Sequence, residues 1–166
     1  MTLDRNWIES RIPHRGRMCL LDRVIDWDAD QVRCAATSHC DPQNPLRAHG
    51  RLGVACGIEY AAQAMAVHGA LMSGGALMSG GELMSGGELA MSTGAATSPR
   101  PHGMLMSVRN VSIDAARLDD IAGALTIVAQ RQSGASDAIG YTFTISGGDK
   151  KLLSGRATVM LRVPWP

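Results

Sequence analysis

Apolar positions along the chain fall into two rhythms. Between Met18 and Val24 ("MCLLDRV") they form a short run that predicts a buried strand, followed by a turn near Asp28-Ala29-Asp30. From Gln31 to Ser38 ("QVRCAATS") apolar and polar residues alternate with the period of two that marks a strand. Asp41 to Gly53 ("DPQNPLRAHGRLG") is rich in Pro, Asn and Gly and predicts a loop. The rhythm changes at Val54. There Val54, Ile58, Ala61 or Ala62, Met65 and Gly69 recur at helical spacing, and Gly74-Gly75 supplies a stop. The other faces carry Ala55, Cys56, Gly57, Ala66 and Ala70. A helix apolar or small on nearly every face is surrounded by protein, and its small side chains let a sheet approach closely.

After Gly103 the pattern returns to strands: "MLMSVRNVSID", "ALTIVAQRQ", "IGYTFTISG" and "KLLSGRATVMLRV", with Gly147-Gly148 as a hairpin turn between the last two. The order is two short strands, one long buried helix and four antiparallel strands. It predicts an α+β fold in which one sheet wraps a single helix. Between helix and strands lies a six-residue repeat from Ala70 to Met91 (ALMSGG, ALMSGG, ELMSGG, ELAMS). Six residues advance a helix by about 600°, so its leucines would rotate off any one face. We read it as a low-complexity loop over about 72–98, with a Met-lined lid over an apolar site as its functional alternative.

The length of 166 residues fits one domain, 1–166, with a real core. A formal net charge of +1 gives no overall field to recruit nucleic acid. The four cysteines lack zinc-site spacing, and no histidine pair supplies it, so no metal is expected. No signal-peptide core opens the chain, and its most apolar run is interrupted by Glu59, Gln63 and His68. No membrane span and a cytoplasmic setting are the expectations.

Those interruptions are the candidate chemistry. "GRLGVACGIEYAAQAM" (Gly50 to Met65) looks built for burial, yet holds Glu59 and, four residues on, Gln63. An unpaired buried charge costs several kcal/mol. Glu59 therefore either finds structural partners or is kept for proton transfer, with a pKa raised by desolvation.

Three stretches carry a resemblance. "IPHRGRMCLLDRV" (Ile12 to Val24), "GIEYAAQAMAVHGAL" (Gly57 to Leu71) and the pair "GMLMSVRNVSI" and "LLSGRATVML" resemble the hotdog-fold 3-hydroxyacyl-[acyl-carrier-protein] dehydratases. The likeness is greatest to the dehydratase-like members of aryl polyene and polyketide clusters. It implies a cofactor-free dehydration of a (3R)-3-hydroxyacyl thioester on phosphopantetheine to the trans-2-enoyl thioester. It further implies a homodimer or heterodimer of hotdog subunits whose sites form between them, and an acidic acyl carrier protein as partner.

Carried onto this chain, the resemblance makes Glu59 the acid and His49 the base. Backbone N–H groups near Gly53 and Val54 would hold the thioester oxygen, with Gln63 beside the substrate. The chain departs from the family here: His49 stands only ten positions before Glu59, and "HGRLG" lacks the family's prolines. An alternative alignment puts Arg51 at the base position. That would leave a degenerate subunit that binds acyl chains or pairs with an active dehydratase; a hotdog acyl thioesterase is the third reading. His14 is expected to position the first strand, His68 to pack or reach solvent, and His39 and His102 to lie on the surface. Arg11, Arg15, Arg17, Arg47, Arg51 and Arg100 are candidates for carrier-protein docking.

Overall fold

The computed structural model describes residues 3–75, 103–134 and 137–160. Two helices, α1 (Arg5–Arg11) and α2 (Gly57–Gly75), accompany six strands. The strands are β1 (Arg23–Trp27), β2 (Gln31–Ala36), β3 (Met104–Ile113), β4 (Leu125–Gly134), β5 (Ala138–Gly147) and β6 (Lys150–Met160). They form one sheet in the order β1-β2-β4-β5-β6-β3, every neighbouring pair antiparallel. Helix α2 packs across the middle strands β2, β4 and β5. This is the α+β hotdog arrangement, a sheet curled around one long helix. Among the described residues, no helix is long and apolar enough to cross a membrane, and no group of His, Cys, Asp or Glu is placed to hold a metal ion.

The burial follows from the side chains. Tyr60, Ala61, Ala64, Met65, Val67 and Leu71 of α2 are buried against Val32, Cys34, Ile127, Ala129, Tyr141, Phe143 and Ile145 of the sheet. Gly57 opens the helix close against the sheet: a Cβ there would lie 2.7 Å from Ile145 Cδ1 and 2.8 Å from Leu153 Cδ2, so both side-chain ends would have to shift. Real Cβ atoms do not approach that closely, so glycine sets the distance between helix start and sheet.

The chain departs from expectation in three places. Residues 19–22 are buried or half-buried but do not join the sheet as a full strand. Pairing begins at Arg23, and Leu20 N–H instead donates to Gln63 Oε1 of α2 at 2.9 Å. Helix α1 was not foreseen. It starts on an Asp4 cap that accepts from Trp7 N–H, and buries Ile8. Helix α2 runs to Gly75, at the Gly74-Gly75 stop expected for it, and takes in the first copy of the repeat; the other copies lie outside the described residues. His39 is fully buried rather than on the surface, with Nε2 3.1 Å from the carbonyl of Ile121. His68 is buried too: Nδ1 meets Tyr141 OH and Nε2 meets the Asp28 carbonyl, each at 3.0 Å. His102 and Arg100 lie outside the described residues.

Candidate active site

Glu59 sits in the first turn of α2. Its Oε1 accepts from Gln63 Nε2 at 3.0 Å and lies 3.0 Å from His14 Nε2. A carboxylate oxygen only accepts, so the proton of this contact belongs to His14 Nε2; Nδ1 of the same ring is buried and has no partner among the described residues. The other carboxylate oxygen, Oε2, accepts no hydrogen bond there. One oxygen of Glu59 is thus held and the other is open.

Local folding explains how residues so distant in sequence meet. Helix α1 is capped by Ile12, whose N–H bonds back to the Ile8 carbonyl and whose side chain is buried. The chain then turns through Gly16 (φ 54°) into a short 3-10 turn, Gly16–Met18. Arg5 donates to the Gly16 carbonyl at 2.9 Å, and Arg15 to the carbonyls of Ile12 and His14. Gln63, fully buried, clips this loop to the helix. It donates to Met18 O at 2.8 Å and to Glu59, while accepting from Leu20 N–H. Its amide is occupied by these protein partners, a different use from the substrate contact expected of it.

The electrostatics correct the expected direction. Glu59 is one-third exposed and its pKa is lowered. The His14 hydrogen bond is the largest cause and outweighs desolvation, which raises it; Gln63 lowers it further. Helix burial alone suggested a neutral acid, but a donor from a distant loop reverses the sign. His14, expected to serve only the first strand, is a direct partner of the carboxylate.

His49 stands elsewhere. Ala48 and Arg51 bond to each other in both directions at 3.0 Å, closing a two-residue turn. Its central residues, His49 (φ 51°) and Gly50 (φ 73°), are both left-handed, as in the tight turns that join antiparallel strands. His49 is exposed at the tip of this turn. Arg51, the alternative for the base position, is exposed one residue beyond it.

The expected oxyanion donors divide. Val54 N–H is committed to Ala116 O at 3.1 Å. Gly53 N–H has no partner among the described residues, and the space where a Cβ would stand at Gly53 is open. Cys56 is half-buried with its thiol toward Leu46 O, consistent with packing. Of the basic candidates, Arg11, Arg15 and Arg17 are exposed around the His14 loop, whereas Arg47 is drawn into an internal ion cluster with Asp119.

A long helix wrapped by an antiparallel sheet is the hotdog fold. The family model of the ApeP-like dehydratases (ApeP dehydratase) matches residues 7–162, and the chain belongs to that family. Among solved structures, it is similar to the dehydratase heterocomplex ApeI:P from Xenorhabdus doucetiae: 20% identity, 95% of this chain and 91% of that one covered, TM-score 0.73. The thioesterase superfamily member 2 of zebra fish is similar at 16% identity over 98% and 99%, TM-score 0.55. A mutant thioesterase from Pseudomonas aeruginosa is similar at 15% over 83% and 78%, TM-score 0.53. At these identities the structures speak for the fold. A search of curated proteins gives no match.

Proposed function

We propose that this protein dehydrates a 3-hydroxyacyl thioester, presented on acyl carrier protein, to the trans-2-enoyl thioester without a bound cofactor. Membership of a dehydratase family supports the reaction class. The observation that carries the residue assignment is the asymmetry of Glu59, with Oε1 held by His14 and Gln63 and Oε2 open. In the reacting fraction Oε2 bears a proton. His49 of a second hotdog subunit takes the C2 proton, the C3–O bond breaks, and the leaving hydroxyl takes the proton of Oε2 and departs as water. The His14 and Gln63 donors stabilise the carboxylate left behind, which makes Glu59 a stronger acid than an isolated one. Gly53 N–H is the donor available for charge building on the thioester oxygen.

A second subunit has a place to dock. Among the described residues, strand β3 pairs only with β6, and Met104, Leu105, Met106, Val111 and Ile113 on it are exposed. An open apolar edge is normally covered. We propose that another hotdog chain, the same or a relative, covers it. The exposed Arg11, Arg15 and Arg17 beside the His14 loop are the surface we propose for an acidic carrier protein.

Hydrolysis is the second reading, favoured by the lowered pKa of Glu59, since an ionised carboxylate can activate water. One experiment separates the two. A 3-hydroxyacyl thioester is incubated with wild type, Glu59→Gln and His49→Ala, and the products are resolved. Enoyl thioester that both substitutions abolish supports dehydration; free acid establishes hydrolysis. Equal turnover by Glu59→Gln overturns both.

A further inference from the structure

The His49 turn is anchored by a cluster unrelated to the reacting groups. Asp119 follows β3, and its carboxylate is almost completely enclosed, with 3% of the side chain exposed. Oδ1 accepts from Leu52 N–H and from Arg117 Nε, each at 3.0 Å. Oδ2 accepts from Arg117 Nη2 at 2.5 Å and from Arg47 Nη1 at 3.1 Å. Arg47 extends the cluster along the loop: Nε donates to Asp41 O, Nη1 also to Gly50 O, and Nη2 to His39 O, at 2.9, 3.2 and 3.1 Å. The backbone adds Leu118 N–H to Leu52 O at 2.9 Å and Val54 N–H to Ala116 O at 3.1 Å.

We infer that Asp119, through Arg47 and Leu52, is a positioning residue that holds the His49 turn and the adjoining Gly53 N–H in place for catalysis. The carboxylate touches both sides of His49. It meets Arg47, which grips Gly50 O, on the N-terminal side, and Leu52 N–H on the C-terminal side. Without it, the turn of two left-handed residues loses the carboxylate that joins Arg47 to Leu52 N–H across it, and keeps its own pair of backbone bonds and the Arg47 contact to Gly50 O. The pairings of Leu52 and Val54 with the 116–118 segment leave Gly53 N–H as the unengaged donor between two fastened neighbours. The Arg117 guanidinium, with Leu52 N–H, holds Asp119 well below the usual carboxylate range, so the carboxylate stays charged near neutral pH. This inference rests on the dehydratase reading for its effect on turnover, but its structural content stands without it.

The test compares wild type with Asp119→Asn. Asparagine retains an acceptor for Leu52 N–H but loses the charge that gathers both arginines. Amide hydrogen exchange is followed at residues 48–53 and in β4 and β5. Expected is exchange about 10- to 100-fold faster at Arg51 and Leu52, with β4 and β5 unchanged, as for loss of a charged hydrogen bond. Turnover of a 3-hydroxyacyl thioester is expected to lose kcat with KM nearly constant, and Asp119→Asn/His49→Ala to be no slower than His49→Ala alone. Should Asp119→Asn fail to fold, Arg47→Met replaces it with the same expectations. Unchanged exchange at 48–53 in the variant that folds overturns the inference. So does a kcat loss that adds in full to that of His49→Ala. If wild type turns nothing over, the dehydratase reading fails and the exchange result alone decides the positioning claim.

Discussion

His14 Nε2 and Glu59 Oε1 lie 3.0 Å apart, one on the loop that follows α1, the other in the first turn of the central helix. The contact decides the protonation state of the one carboxylate on the helix. His14 supplies a donor to an acceptor that burial alone would have pushed toward neutrality.

Replacing His14 by Phe removes that donor, the largest cause of the lowering, so the pKa of Glu59 rises. The acid limb of the kcat profile should move up in pH by the same amount. Stability follows a defined sign. With a folded pKa below its ordinary value of 4.5, Glu59 contributes stability that is present above about pH 4.5 and lost as pH falls through the folded value. Chemical denaturation of wild type and Glu59→Gln should differ at neutral pH and converge in acid. A difference that grows on acidification would contradict the assignment.

Gln63→Leu keeps the volume but orphans Leu20 N–H and Met18 O. Each unsatisfied buried group costs about 1–3 kcal/mol, so the loss should be on the order of 2–4 kcal/mol. Urea denaturation measures it. A variant as stable as wild type would mean that the amide does not fasten the loop.

Gly57→Val forces a branched side chain into Ile145 and Leu153, where even a Cβ would displace both side-chain ends. Overpacking of this kind costs about 1–3 kcal/mol. A lowered melting temperature, with turnover reduced because Glu59 is displaced with the helix start, is the expected outcome.

Leu105→Lys and Ile113→Lys place charge on the open edge of β3, where the native side chains are 36% and 58% exposed. In the chain alone these changes should leave stability nearly untouched. If a hotdog partner covers the edge, analytical ultracentrifugation should show the assembly shifted toward monomer. An unchanged mass would move the interface elsewhere.

Much of this fold follows from local pattern. The period-two segments after Gly103 became β3 to β6, and the small-residue segment became α2, because alternation and helical spacing are properties of neighbours in sequence. Glu59 and Gln63 stood out for the same reason, as polar residues inside an apolar run. Helix α1 was missed because a seven-residue amphipathic stretch carries little periodic signal, although Asp4 ahead of it was a readable cap.

Chain order and side-chain type determined the hotdog architecture, the central helix and the presence of a carboxylate in its first turn. They left open what that carboxylate would meet. The 3.0 Å contact with His14, the enclosure of His39, and the pairing of Arg47 with Asp119 all join segments far apart along the chain. Charge and hydrogen-bond energies depend on distance and exposure, and only the closed fold sets those. That is why Glu59 could be picked out from sequence, while the sign of its pKa shift had to wait for the tertiary structure.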